Sequence, residues 1–260
     1  MNPRQAIILA AGLGSRLQAL TASLPKALIP FMGRPLLGYA IDFARHAIGT
    51  DGRIVVVSGF CADLVERFVA DYAPEAQVVF NPDFRKANLR SVATGLTALS
   101  GGFLLMNVDH VYPFAFGDRL MSASGDVLLA VDRDRPLGGD DMKVALDADG
   151  AVRMMSKQLP TWDCGYIGMT KVSDGASDVY RAAVGTVLAV RPDTAVAEDV
   201  IAELYVRRHS ARTCDLSGIG WVEIDNGDEL VAGERRLAKD PGLLTRGFDA
   251  GTQRAGAVGD

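Results

Sequence analysis

Two glycines, a serine and two basic residues near the start of the chain are spaced for polyphosphate chemistry. The stretch Ile7-Ile8-Leu9-Ala10-Ala11-Gly12-Leu13-Gly14-Ser15-Arg16-Leu17 is followed by Leu24-Pro25-Lys26-Ala27-Leu28. An uncharged apolar run that stops at Gly12 and Gly14 reads as a buried strand entering a tight turn, where backbone N–H groups can approach a phosphate closely. Arg16 and Lys26 bring fixed positive charge to the same place. Leu9, Ala10, Ala11, Gly12, Gly14, Ser15, Arg16 and Lys26 are therefore the expected contacts to a nucleoside triphosphate. Two other phosphate loops are excluded. A Walker loop needs Gly-Lys-Ser/Thr, where this chain has Gly14-Ser15-Arg16, and the dinucleotide fingerprint needs a third glycine where Leu17 stands.

A triphosphate needs its charge neutralised, and Mg²⁺ does this through one or two carboxylates together with phosphates and water. Asp109 in Leu104-Leu105-Met106-Asn107-Val108-Asp109-His110 follows an apolar run, and Trp221-Val222-Glu223-Ile224-Asp225-Asn226 carries two more acids after another. Asp109 and Asp225 are the expected Mg²⁺ ligands. Glu223 lies two residues from Asp225, on the same face of a regular strand, and assists; capping of a turn is the competing role for Asp109. Asn81, Asn88 and Ser91 fall where a strand gives way to a helix. Their amides and hydroxyl suit a base edge or ribose, and helix capping by Asn88 is equally open. His110 is expected to orient near Asp109, His46 and His209 to lie on helices, and Cys164 to form a pocket wall without thiolate activation.

The elements that must hold these residues alternate. Strands are expected at Ile54–Val57, Gln77–Phe80 and Phe103–Met106, with helices at Pro35–Ala47, Ala62–Tyr72 and Asn88–Leu99 between them. That alternation predicts an α/β doubly wound, mostly parallel Rossmann-like sheet, with ligands beyond the carboxyl ends of the strands. The second half is more mixed. Strands at Asp126–Val131, Met142–Leu146, Val152–Ser156, Tyr166–Met169, Arg212–Asp215 and Trp221–Ile224 surround helices at Asp174–Val190, Val196–His209 and Asp228–Lys239, and Asp147-Ala148-Asp149-Gly150 is a hairpin turn sequence. Residues 1–246 read as one domain, 1–125 the nucleotide half and 126–246 the acceptor half, with 247–260 a disordered tail.

A chain of 260 residues can build one large core. Its net charge of −5 argues against nucleic acid as a partner while allowing a local basic pocket for a small anion. Three scattered cysteines imply neither a disulfide framework nor a metal site, and neither a signal peptide nor a membrane-spanning run is evident. A cytoplasmic enzyme without membrane insertion is expected; a homodimer is allowed by the sequence without being required by it.

The composite Leu-Ala-Ala-Gly-x-Gly-Ser-Arg with a downstream Pro-Lys-Ala-Leu resembles the signature of nucleotidyltransferases that condense an NTP with a phosphorylated small molecule. Met106-Asn107-Val108-Asp109-His110-Val111 further resembles the Gly/Ser-Asp-His-Val motif of CTP:inositol-1-phosphate cytidylyltransferases. Val131-Asp132-Arg133-Asp134-Arg135-Pro136, Asp141-Met142-Lys143-Val144, Ser156-Lys157-Gln158-Leu159, Trp162-Asp163-Cys164-Gly165-Tyr166 and Trp221-Val222-Glu223-Ile224-Asp225-Asn226 are similar to that family in the same order. The resemblance covers roughly residues 5 to 240 and implies a nucleotide-diphospho-sugar transferase type of fold. It also implies an Mg²⁺-dependent reaction of CTP with inositol 1-phosphate, or a similar phosphorylated small alcohol, giving a CDP-alcohol and pyrophosphate. In that family the residues corresponding to Asp109 and Asp225 hold Mg²⁺, Lys26 steadies the phosphates, and Lys143 and Lys157 face the acceptor phosphate. Asp163, Gly165 and Glu223 then fall on the acceptor side. Glu223 and Asn226 depart from the Asp and Thr usual there and are similar to phosphocholine cytidylyltransferases, as is the Asn81…Asn88-x-x-Ser91 pattern. An aromatic cage for choline would have to come from Trp162, Tyr166 and Trp221. Phosphocholine, aminoethylphosphonate and sugar 1-phosphates are the alternative acceptors, and a nucleotide-sensing paralogue is the non-enzymatic alternative.

Overall fold

The computed structural model describes residues 2–14, 16–17, 24–209 and 211–245. Ser15 and the expected tail at 247–260 lie outside them. β1 (Gln5–Leu9) is uncharged and buried on both faces, as a central parallel strand must be. A 3₁₀ turn at Lys26–Leu28 follows Pro25, and β2 (Pro30–Phe31) pairs with β3 (Arg34–Pro35) as a small ribbon. Then come α1 (Leu36–Ile48), β4 (Arg53–Ser58), α2 (Ala62–Tyr72), β5 (Gln77–Phe80), α3 (Leu89–Leu96), β6 (Phe103–Asn107), β7 (His110–Val111) and α4 (Phe114–Ser122). The second half supplies β8 (Val127–Asp132), β9 (Lys143–Leu146), β10 (Val152–Ser156), β11 (Cys164–Val172), α5 (Ser177–Val190), α6 (Asp199–Val206), β12 (Arg212–Asp215), β13 (Val222–Glu223) and α7 (Gly227–Lys239).

One mixed sheet runs in the order β10-β9-β11-β6-β1-β4-β5, with β8 pairing β11 and β12. Its nucleotide-side strands β6, β1, β4 and β5 are parallel. Antiparallel β11 joins them to the second half, meeting β9 at its start and β6 at its end. The expected hairpin over Asp147–Gly150 is formed by β9 and β10. The expected alternation is therefore present, with differences. α3 stops at Leu96 rather than Leu99, α6 spans Asp199–Val206 rather than Val196–His209 and leaves His209 outside a helix, and α4 and the two-residue strands β2, β3 and β7 were not expected. α4 begins directly after Pro113, which pre-sets the first turn. Gly117 lets it approach α1, where an added Cβ would sit 3.2 Å from Ala47.

The sheet is covered on both faces. Ile8, Val56, Leu104 and Met169 pack beneath α1, α2 and α4, whereas Ile7, Val55, Leu105 and Leu129 pack beneath α3, α5 and α6. A third, smaller core gathers Phe31, Val111, Val222, Ile224 and Leu237. It fastens α7 and β13 back onto the nucleotide half.

β11 carries a bulge between Tyr166 and Thr170 against β8. Gly168 sits there with φ +73°, and an added Cβ would lie 2.9 Å from His110 Cε1 and 3.0 Å from the Tyr112 hydroxyl. A left-handed conformation and this close approach both require glycine.

Candidate active site

The carboxyl ends of β1 and β6 open into a cavity of about 210 Å³ lined by Leu9, Ala10, Ala11, Gly12, Lys26, Phe84, Lys86, Asn88, Ser91, Asn107 and Asp109. Most of the expected nucleotide contacts among the described residues thus share one space. Gly14 turns the chain with φ +64° just beyond it. Asn81 stands one layer back: it is buried, its Nδ2 donates to Ser91 Oγ at 2.9 Å, and its Oδ1 accepts from the Asp83 amide. Asn88 makes no capping bond to its helix; its Oδ1 accepts instead from the Ala197 amide at 2.9 Å, tying the α5–α6 connection to the cavity rim.

The charged centre lies at the edge of this cavity. Lys26 is buried, and its Nζ donates to Asp109 Oδ2 at 2.7 Å and to Asp225 Oδ1. Arg16 donates to the other oxygen of Asp225 and lies 3.4 Å from Asp140. Burial alone would push the Lys26 ammonium down, but the two carboxylates raise it. Burial likewise opposes the charged form of Asp109, yet Lys26 and His110 hold its carboxyl well below the usual range. His110 Nδ1 sits 2.7 Å from Asp109 Oδ1, with its ring stacked on Trp221, which agrees with an orienting role.

Short backbone segments bring the two aspartates together. β7 pairs with β13 so that His110 faces Glu223. The Ile224 amide then donates to the Asp109 carbonyl at 2.9 Å, leaving Asp225 beside Asp109. α7 fixes the far side: Asn226 Oδ1 accepts from the Glu229 amide, and Glu229 Oε2 accepts from the Asp225 amide at 2.7 Å, a variant of the capping box. Asp109 is thus an anchored partner rather than a free turn cap.

The residues fit a divalent cation. Oxygens of Asp109 and Asp225 already converge on one cationic group, the Lys26 ammonium. Among the described residues no cluster of three or more His, Cys, Asp or Glu is placed to hold a metal. Two carboxylates suffice for Mg²⁺ when phosphates and water complete its coordination.

A second cavity, of about 280 Å³, shares Asn88, Asn107 and Asp109 with the first and adds Asp140, Asp141, Met142, Lys157, Tyr166, Val196, Glu198, Glu223 and Asp225. Lys157 and Glu223, two of the expected acceptor contacts, line this second cavity. Three other expected acceptor contacts do not line it. Lys143 is buried, and its ammonium donates to the carbonyls of Gly138 and Lys157, both at 2.8 Å, because the strand start must tie two loops together. Asp163 accepts from the Leu146 amide, and Gly165 makes room for Leu137, whose Cδ2 would lie 2.7 Å from an added Cβ. Cys164 is buried, its thiol pushed up to about 11, so it is inert.

Sequence reasoning missed Asp140, Asp141, Asn107 and Glu198. The Asp140-Asp141 pair just before a strand was a visible signal; Glu198 lies in a helix connection and gave none. A wider cavity of about 480 Å³ lies behind Trp221, but its basic groups are committed, Arg236 to the Trp221 carbonyl and Arg135 to Asp141 and Glu223. No helix of the described residues is long and apolar enough to cross a membrane.

A family model for the MobA-like NTP transferase domain matches residues 6–138. The chain is 28% identical over 240 residues to the bifunctional IPC transferase and DIPP synthase of Thermococcus kodakarensis, covering 92% of this chain and 52% of that protein. It is 30% identical over 235 residues to the protein of the same name from Rubrobacter xylanophilus, covering 89% and 51%. The chain spans about half the length of these curated relatives. Among solved structures, the inositol-1-phosphate CTP transferase from T. maritima superposes with a TM-score of 0.78 at 20% identity, over 95% of this chain and 99% of that one, a likeness of fold.

Proposed function

We propose, for a chain that belongs to the MobA-like NTP transferase family and is an enzyme of the nucleotidyltransferase type, that it transfers a cytidylyl group from CTP to inositol 1-phosphate or a similar phosphorylated small alcohol. An acceptor phosphate oxygen forms a bond to the α-phosphorus of CTP as the bond to the β-phosphate breaks, releasing pyrophosphate. The attacking oxygen is already anionic, so no side chain has to act as a base.

The chain's residues position and neutralise. Backbone from Ala10 to Gly12 borders the triphosphate space with Lys26, Arg16 reaches its edge through Asp225, and Asn88 and Ser91 face the nucleoside. Lys157 meets the acceptor phosphate, and Lys143 positions Lys157 through its carbonyl. Mg²⁺, when bound by Asp109 and Asp225, supplies the charge neutralisation that brings two anionic reactants together. Residues 1–125 thereby serve the nucleotide and 126–246 the acceptor.

The observation that carries this reading is the convergence of Arg16, Lys26, Asp109 and Asp225 on the border of two adjoining cavities. The choice of CTP is supported by the name of the T. maritima inositol-1-phosphate CTP transferase, whose fold this chain shares. Pyrophosphate release from each of four NTPs, against inositol 1-phosphate, phosphocholine, aminoethylphosphonate and glucose 1-phosphate, tests it. CTP should be used in preference to the other three. Turnover restricted to UTP or dTTP with a hexose phosphate would refute cytidylyl transfer.

A further inference from the structure

Among the described residues, Ser91 is the one uncharged polar side chain that lines the nucleotide cavity without also lining the acceptor cavity. It is buried, and its Oγ accepts from Asn81 Nδ2 at 2.9 Å. The direction of that bond is set by the next one. Asn81 Oδ1 accepts from the Asp83 amide at 2.9 Å, and a backbone N–H can only donate, so the atom facing Ser91 is the amide nitrogen. Asn81 itself is 2% exposed and does not line the cavity.

A serine hydroxyl has one hydrogen to donate and two lone pairs to accept with. Asn81 takes one lone pair, and among the described residues no group accepts the Ser91 hydrogen. A buried hydroxyl proton without an acceptor is costly. The favourable arrangement turns it into the cavity, toward an acceptor that the ligand supplies. Neighbouring donors are either committed or of the same polarity. Lys26 bonds Asp109 and Asp225, and Lys86 bonds Asp83 and Asp193. Asn88, whose Oδ1 is taken by the Ala197 amide, has its Nδ2 hydrogens left to offer.

This wall therefore offers donors and asks for acceptors, and cytosine and uracil differ there. In cytosine the ring nitrogen N3 is a lone-pair acceptor beside the O2 carbonyl. In uracil N3 carries a hydrogen. That N–H could meet Ser91 only if the hydroxyl hydrogen swung back into the protein, where no described group takes it.

Resting on the cytidylyl-transfer reading, we infer that Asn81, which touches no substrate, sets the base preference. By donating to Ser91 it holds the hydroxyl as a donor, matched to N3 of a cytosine and opposed to N3–H of a uracil. Asn81 is a positioning residue; Ser91 is the group that meets the base.

The test uses the full chain with Mg²⁺ and the best acceptor of the panel above, and compares kcat/KM for CTP with that for UTP by pyrophosphate release. Asn81→Asp exchanges the donor for a second acceptor. One carboxylate oxygen keeps the Asp83 amide and the other takes the Ser91 hydrogen, so Oγ turns a lone pair to the cavity. At about pH 8, where these two hydrogen bonds hold the buried carboxyl ionised, the CTP:UTP ratio should fall by roughly 100-fold, one hydrogen bond lost to cytosine and one gained by uracil. Ser91→Ala should lower the ratio about 10-fold, and in that background Asn81→Asp should change it no further. Far-UV circular dichroism reports whether each variant is folded, and Ser91→Ala decides by itself if Asn81→Asp is not. An unchanged ratio in Ser91→Ala or in folded Asn81→Asp overturns the inference. So does an Asn81→Asp effect that is the same with and without the Ser91 hydroxyl. Each of these leaves cytidylyl transfer standing, whereas a parent chain that does not prefer CTP to UTP overturns that reading as well.

Discussion

Asp109→Asn separates what the site does for stability from what it does for chemistry. The asparagine keeps the shape and one acceptor oxygen, but turns an amide donor toward either Lys26 or His110, each now 2.7 Å from a carboxylate oxygen. Lys26 would retain Asp225, so the ammonium is not stranded. The loss is one charge-assisted hydrogen bond plus one donor–donor mismatch, about 2–4 kcal/mol. For a domain of this size that lowers Tm by roughly 5–15 °C and leaves a folded protein at room temperature. Turnover should suffer more. Removing one preorganised charge from the place where phosphate charge must be neutralised costs about 10²- to 10³-fold in rate. With Asp109 and Asp225 holding one cation as proposed, the double variant Asp109→Asn/Asp225→Asn should be scarcely slower than either single one. Calorimetric melting and pyrophosphate release across an Mg²⁺ titration read the two effects separately. Release within about threefold of the parent at saturating Mg²⁺, or strict multiplicativity in the double variant, would refute the reasoning.

Lys143→Met should lower Tm by roughly 5–10 °C, since two carbonyls lose a charged donor worth about 3 kcal/mol, and should raise KM for the acceptor but not for CTP. An unchanged Tm with acceptor affinity alone abolished would return the ammonium to the acceptor. Gly168→Ala combines a left-handed backbone with a Cβ 2.9 Å from His110; about 2–5 kcal/mol of destabilisation follows, read as a lower midpoint in urea. Glu198 sets a pH dependence. Its folded pKa is raised by burial above 4.5, so the native state binds the extra proton and stability falls as pH rises through the interval between the two values. Glu198→Gln should remove that fall and melt at or above the parent temperature at pH 7. Chelation of Mg²⁺ by EDTA should abolish pyrophosphate release, with recovery on adding excess Mg²⁺.

The alternation of apolar runs and amphipathic stretches makes the sheet legible, because parallel strands buried on both faces have to be continuously apolar, as Ile54–Val57 is. The glycine turn with Lys26 is legible for a related reason: few turns place two cations beside two glycines. Asp109 and Asp225 could be named from their position after strands. Their meeting depends on a two-residue ribbon, β7 with β13, too short to have a pattern. α4 is hidden by its own composition, since aromatic residues and a glycine after a proline read as easily as loop. Lys143 illustrates the opposite limit. A lysine in a motif that resembles a substrate contact is, in space, bonded to two carbonyls, and the alternation of a strand does not say what waits at the tip of a long side chain.

The Lys26 ammonium reaches an aspartate 83 positions away and another 199 positions away. The longer of these closures costs more loop entropy than the pairing of β1 with β6, which joins Ala6 to Leu104. During refolding, then, the parallel strands should regain their circular dichroism while catalysis lags until the segment from Trp221 onward has returned to the start of the chain. An intermediate of that kind would carry the glycine turn with Lys26 still lacking Asp225, attracting anions without being able to activate them.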